Sequence, residues 1–425
     1  MNARGRRKPL LLGAALVGLV LGGLLGYHTL RLRAQARALK VASARLEAAH
    51  KVDPGLVAAD NGFGFRLFAE LRQAQPKQNL FLSPASVAIC LHMVYNGAAG
   101  ETKAAMAKTL ELGDMTTEQL NEANAALRTA LAFEGSDLEL RTASSLWLDR
   151  GASLLPTFVT TNRDCYGARL TQLNLAQPQA LETINGWVRD ETRGKVRTIL
   201  DRLEPGTFLV LLNATYFRGV WAHPFDQRKT ADAPFHLPDG SSKSVPMMSY
   251  DGGCLYRETD RFQAVCLPYR GDRLQMYVFL PREKVGLEGF CSRLGPDRWA
   301  NWTSRFEKTD GIVRLPRMKL EWQADLNAAL KGLGMGIAFD PARADFSAMV
   351  AGGSAWIGRA RHGTALEVDE EGTEAAAATA VEMAKGEKLP LLTVDRPFFC
   401  AIVDSRTQAI LFMGAITDPQ PAGRA

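Results

Sequence analysis

The stretch Glu367–Lys388 most restricts what this chain can fold into. It reads Glu-Val-Asp-Glu-Glu-Gly-Thr-Glu-Ala-Ala-Ala-Ala-Thr-Ala-Val-Glu-Met-Ala-Lys-Gly-Glu-Lys and lies between two segments that read as strands. A short helix suits it, since alanine is the best helix former. A disordered linker suits it too. A third structure is a strand that enters the middle of an existing sheet. Such a strand must keep every N–H, and the stretch has no proline. Strand side chains alternate between faces. Glu374 and Glu382 share one parity; Thr373, Ala375, Ala377, Thr379, Val381 and Met383 hold the other. The charges would face water and the small residues a core. A helix does not require this phase, so it leans towards insertion and leaves the other structures open.

Glu370-Glu371-Gly372-Thr373-Glu374-Ala375-Ala376-Ala377-Ala378-Thr379-Ala380 resembles the hinge of the inhibitory serpins. Further segments match that family in order over about residues 58–419. They are Asn79 with Ser83-Pro84, Ser86 and Val87; Gly97-Ala98 with Gly100 and Thr102; Asn213 with Phe217, Gly219 and Trp221; Val245-Pro246-Met247-Met248; Pro397-Phe398-Phe399; and Leu411-Phe412-Met413-Gly414. The resemblance implies an α+β fold of three β-sheets with surrounding helices and an exposed reactive loop. It implies a suicide inhibitor of serine endopeptidases, in which the cut loop inserts into sheet A and the protease stays bound as an acyl ester. It also implies that Ser83, Ser86, Asn213 and His362 form a buried cluster where that sheet opens, with Trp221 under the hinge. The bland reading of each is a satisfied core polar group, and Ser83-Pro84 alone reads as a helix cap.

The resemblance also places the reactive bond. Counting forward from Gly372 and back from Pro397 both give Gly386–Glu387. Glycine offers a specificity pocket no side chain, whereas Lys385 suits a trypsin-like pocket with an acidic floor. Lys388 is a third option. The alternative function is a serpin that does not inhibit and serves as a binding or chaperone-like protein; no bulky, charged or proline residue between Thr373 and Ala380 other than Glu374 favours it.

The formal charge of +6 misleads. Residues 1–51 carry ten of the 51 basic residues and one of the 45 acids, leaving 41 basic and 44 acidic residues beyond. The body is therefore not a basic nucleic-acid binder. Pro9–Tyr27 is uncharged and apolar, and as a helix would span about 28 Å, close to the ~30 Å hydrocarbon core. We read residues 1–28 as a signal anchor, 29–55 as a helical stalk or linker and 56–425 as the serpin domain. On this reading residues 9–27 meet a membrane and the body is extracytoplasmic, with secretion after cleavage as the alternative.

Helices are expected over Asp60–Leu71, Ser86–Tyr95, Glu101–Leu112, Thr117–Phe133 and Leu326–Gly332. Strands are expected over Leu138–Leu148, Phe208–Phe217, Cys266–Pro281, Ile312–Trp322, and a hairpin of Phe398–Val403 with Ala409–Ile416. No phosphate loop, His-Glu-x-x-His, Gly-x-Ser-x-Gly or Cys-x-x-Cys occurs. No enzyme activity, metal or cofactor is expected; the partner is a serine protease. The six cysteines name no disulfide pair by spacing, and Cys90 and Cys400 read as buried thiols. Asn213-Ala-Thr and Asn301-Trp-Thr match the glycosylation sequon, the first at a position expected to be buried.

Overall fold

The computed structural model describes residues 40–352, 355–372 and 391–420. Residues 40–51 are helical. The longer helices after them are α1 (Pro54–Ala74), α2 (Pro84–Tyr95), α3 (Gly100–Thr109), α4 (Thr117–Ala130), α5 (Pro156–Tyr166) and α6 (Pro178–Glu191). Proline opens four of these, at positions whose N–H would have no helical partner anyway. α4 starts with a capping box, in which Thr116 and Gln119 each serve the other's backbone N–H.

The first strands are β1 (Leu80–Leu82), β2 (Leu138–Asp149), β3 (Arg169–Leu173), β4 (Leu209–Gly219) and β5 (Ala231–His236). Next come β6 (Ser242–Glu258), β7 (Phe262–Pro268), β8 (Leu274–Pro281), β9 (Glu307–Pro316) and β10 (Met318–Asp325). The last are β11 (Ile357–Val368), β12 (Leu391–Thr393), β13 (Phe398–Asp404) and β14 (Ile410–Ile416). The α+β class read from the sequence is the one observed. Five strands form one sheet in the order β10-β11-β4-β2-β3, and nine form another. Two of the three expected sheets are joined within the nine-stranded one. The 17-residue β6 pairs with β5 at its start and β7 at its end, and with β9 between.

Two expected strands are each two. The run Cys266–Pro281 turns between β7 and β8, where Gly271 and Asp272 take positive φ. The run Ile312–Trp322 divides at Arg317, and β9 and β10 enter different sheets. All six cysteines are free, and Cys90 and Cys400 are buried. Asn213 is 2% exposed, which closes that sequon to modification in the folded protein, whereas Asn301 is exposed on the helix Pro296–Thr303.

β4 shows why the five-stranded sheet sits at the centre. Every residue but Arg218 is buried, as expected of a strand covered on both faces. Val210, Leu212, Ala214 and Tyr216 pack with Ala180, Ile184 and Val188 of α6. Leu209 and Leu211 pack on the other side, in the cluster that holds Val87, Ala88 and Leu91 of α2. β4 and β11 are direct neighbours and run parallel, with Ile357 opposite Leu209 and Leu366 opposite Phe217.

Candidate functional site

The alternation that buries β4 also aims its polar residues. Asn213 and Thr215 share the parity of Leu209 and Leu211, and so point towards α2. On β11, Ala365 packs towards α6, which turns His362 and Thr364 towards α2 as well. His362 stands opposite Asn213 and Thr364 opposite Thr215. The seam therefore carries a polar ladder under the N-terminus of α2.

The ladder is satisfied in one arrangement. The Ser83 N–H donates to His362 Nε2 at 2.9 Å, and His362 Nδ1 lies 3.2 Å from the Asn213 carbonyl oxygen. A carbonyl oxygen only accepts, so Nδ1 carries the proton and Nε2 the lone pair. Burial pushes the imidazole down to about 3, against the opposing pull of the Asn213 carbonyl. The ring is neutral, and a proton on Nε2 would face the Ser83 N–H, a second donor. Ser83 occupies the cap position of α2 without a side-chain cap bond; its Oγ donates to Ser86 Oγ at 2.9 Å. Asn213 Nδ2 donates to Ser144 Oγ of β2 at 3.0 Å, and Thr364 Oγ1 donates to the Phe81 carbonyl at 2.5 Å. Five elements, β1, α2, β2, β4 and β11, thus meet at the seam. Ser144 and Thr364 carry no motif, and only strand parity combined with the register could have pointed to them; Thr215 lies in the Asn213–Trp221 segment and in the sequon, neither of which gives it this place.

Above this ladder β11 ends at Val368 and the chain turns. The Asp369 carboxylate accepts from the N–H groups of Glu371 and Gly372, and the Asp369 N–H donates to the Gly372 carbonyl at 2.8 Å. Burial pushes this carboxyl up to about 6, with the Glu370 and Glu371 charges adding to it and the two N–H groups opposing. Trp221 holds the turn from below. Its Nε1–H donates to the Asp369 carbonyl at 3.0 Å and its backbone N–H to the Glu371 carbonyl at 3.0 Å. Its ring stacks on Tyr269, with centroids 4.4 Å apart.

Glu370 is 4% exposed. Thr230 Oγ1 donates to it at 2.7 Å, and Arg317 lies at 3.5 Å. The Phe225 N–H donates to its carbonyl at 2.7 Å. Gly372 has φ +145°, and a Cβ there would meet the Gly219 carbonyl oxygen at 2.2 Å and Val220 Cα at 2.5 Å. Only glycine fits this approach of backbone to backbone. Arg317, Thr230 and Tyr269 were not singled out in the sequence, being distant in the chain and free of any pattern. Asp369 had a signal in its Asp-x-x-Gly spacing, which is turn chemistry. Thr373, Glu374, Ala375, Ala376, Ala377, Ala378 and Thr379 of the hinge, and Lys385, Gly386, Glu387 and Lys388 of the reactive segment, lie outside the described residues. Among the described residues, no group of three or more His, Cys, Asp or Glu side chains could hold a metal ion.

The chain is similar to known proteins over this whole region. A family model described as Serpin (serine protease inhibitor) matches residues 58–419. Leukocyte elastase inhibitor A of Rattus norvegicus is 33% identical over 378 residues, covering 86% of this chain and 99% of that protein. The leukocyte elastase inhibitor of Homo sapiens is 34% identical over 379 residues, with the same coverage of each. Among solved structures, native protease nexin-1 with heparin matches with a TM-score of 0.80 and 28% identity, over 86% of this chain and 100% of that one. The thermophilic serpin tengpin in its native state matches with a TM-score of 0.80 and 26% identity, over 86% and 95%.

One expectation is corrected here. The described residues hold no helix long and apolar enough to cross a membrane, and the relatives are matched almost end to end by the body alone. The membrane-anchored, extracytoplasmic placement and its secreted alternative are therefore set aside. Residues 9–27, on which the anchor was read, lie outside the described residues. The family match takes in the parallel seam, the polar ladder and the glycine turn, and its relatives share a third of their residues along nearly their whole length: the chain belongs to the serpin family of serine protease inhibitors.

Proposed function

We propose that this protein inhibits a serine endopeptidase by trapping it as an acyl ester. The carrying observation is the seam: β4 and β11 are parallel neighbours, and the chain leaves β11 through a glycine turn directly above them. The target's serine Oγ attacks the carbonyl carbon at the reactive bond, between Lys385 and Glu387. The peptide C–N bond breaks, the new amine leaves with a proton, and an ester joins protease to loop. The freed segment from Thr373 onward then enters between β4 and β11 and carries the protease with it, before water can cleave the ester.

Entry requires the His362 bond to Asn213 and the turn's contacts with Trp221 to be exchanged for new ones. About a dozen new ladder bonds at ~0.5–1.5 kcal/mol each give on the order of 10 kcal/mol. That rivals a domain's stability of ~5–15 kcal/mol, so the intact state is held kinetically. Incubation with a trypsin-like protease, followed by boiling in detergent and gel electrophoresis, tests the reading. A stable adduct of summed mass is expected. Cleavage of the loop with release of active protease refutes trapping and favours the non-inhibitory, binding form of the fold.

A further inference from the structure

Residues 40–51 lie upstream of the family match, which begins at residue 58, yet they are packed onto the body. Ala48 and Val52 are buried in one cluster with Leu127 and Ala130 of α4 and with Leu131 and Phe133, which link α4 to β2. The Arg45 guanidinium lies over the Phe133 ring at 5.2 Å and donates to the Ala132 carbonyl at 3.4 Å. The two exposed large apolar side chains among the described residues, Val41 and Leu46, are on the same helical segment, so its attachment is one-sided.

Phe133 is a joint. Besides Arg45, the guanidinium of Arg273, in the turn that leads into β8, lies over its ring, at 4.9 Å. Arg273 is itself fixed by two bonds to the fully buried Asp404 at the end of β13. The Phe133 carbonyl in turn accepts from the Leu140 N–H of β2 at 2.8 Å. Leu140 is opposite Phe217 of β4, and Phe217 is opposite Leu366 of β11. A straight line of register thus runs from the joint to the top of the seam, where a strand following Gly372 would enter first.

We infer that residues 40–52 are a strap that holds the α4–β2 joint against the nine-stranded sheet and so restrains the β4–β11 seam from parting. Separating β4 from β11 moves β4 together with β2, its ladder partner over eleven residue pairs. That motion drags Phe133 away from the two guanidiniums over its ring and from Ala48 and Val52. The strap adds its contacts to the barrier and leaves the seam's own bonds untouched. This inference rests on the proposal that the seam opens.

The test uses the full chain carrying Ala48→Glu together with Val52→Asp, which puts two carboxylates into the buried contact, and Leu46→Ser on the exposed side as control. Hydrogen exchange is followed in residues 40–51, in β2 and in β4. The intact protein is also held at 50 °C and sampled for its remaining capacity to form the boiling-resistant adduct. The double variant is expected to exchange about tenfold faster in β2 and β4 and to lose trapping capacity about tenfold faster; the control matches wild type. Free exchange of residues 40–51 with unchanged β2 and β4 overturns the strap. If wild type forms no adduct, the trapping proposal fails by itself, and the exchange data still decide whether the strap restrains the sheet.

Discussion

Gly372→Ala should strike the intact state at one defined point. The added carbon meets the Gly219 carbonyl oxygen, Val220 Cα and Trp221 N at 2.2, 2.5 and 2.7 Å. All three are backbone atoms, so no side chain can rotate aside. The turn must lift, and the Trp221 N–H loses the Glu371 carbonyl while the Asp369 N–H loses that of residue 372. Two such bonds contribute ~0.5–1.5 kcal/mol each. Holding alanine at φ +145° adds ~1–3 kcal/mol. A loss of about 4 kcal/mol is expected. For the body spanning residues 58–419, an unfolding entropy of ~2.1 cal/mol/K per residue gives ~0.8 kcal/mol/K. Thermal unfolding of the intact variant should therefore begin about 5 °C lower. Protease should also reach the lifted turn, which limited digestion followed by mass spectrometry reads directly. A melting temperature within a degree of wild type, with an unchanged digestion pattern, would falsify the claim that this glycine is wedged against β4.

Acid should weaken the protein through His362. Its folded-state value is depressed to about 3 from an ordinary 6.5, so the stability it contributes is whole above pH 6.5 and is lost as pH falls towards 3. Unfolding free energies of wild type minus His362→Gln should diverge by about 1.4 kcal/mol per pH unit in that window, the buried Asp60–His92 pair cancelling in the difference; a flat difference sinks the assignment. Arg317→Ala leaves Glu370 buried with Thr230 as its remaining side-chain donor, and a loss of about 2 kcal/mol is expected, below the ~3–5 of a fully buried broken pair. Arg317→Lys should recover part of it in the same denaturant titration, and no loss in either variant removes the pair from the hinge. Lys385→Ala should slow trypsin-like targets at least tenfold and spare elastase-like ones. The first residue of the released C-terminal fragment reads the bond: Gly386 supports Lys385, Glu387 supports the count from both ends, and Leu389 moves the site to Lys388.

Local pattern carried much of the fold. α1, α2 and α4 follow from apolar spacing and turn signals, and the family segments single out Ser83, Ser86, Asn213, His362 and Trp221 for attention. What escaped was set by distance or by shortness. β1 has three residues, too few for a period to show. The turn between β7 and β8 was legible in Arg270-Gly271-Asp272, but the apolar alternation on both sides ran across it. Arg317 joins two strands of different sheets, and nothing local tells that they diverge. Its partner Glu370 is a hinge residue by its place in a motif, whereas the pocket that holds it comes from two remote segments, the stretch with Phe225 and Thr230 before β5 and Arg317 between β9 and β10. The helical residues 40–51 were readable as a helix, but the face they bury depends on α4 and Phe133, which no spacing within that segment reports.

The direction of the strands at the seam bears on how the molecule must fold. β4 and β11 run the same way, and His362 and Asn213 come together across 149 residues of chain. A strand laid down after the Gly372 turn would run opposite to both, and its pairing with β11 would be a local hairpin. Hairpins close faster than contacts between remote segments, because far less chain entropy is lost first. Antiparallel pairing is also slightly the stronger per residue. If that segment enters the sheet as proposed, every newly made chain faces a race in which the nearer partner of β11 must lose to β4. Molecules that pair the hairpin first would reach the relaxed sheet without having met a protease. The yield of working inhibitor is then a kinetic quantity, fixed by how soon β4 finds β11.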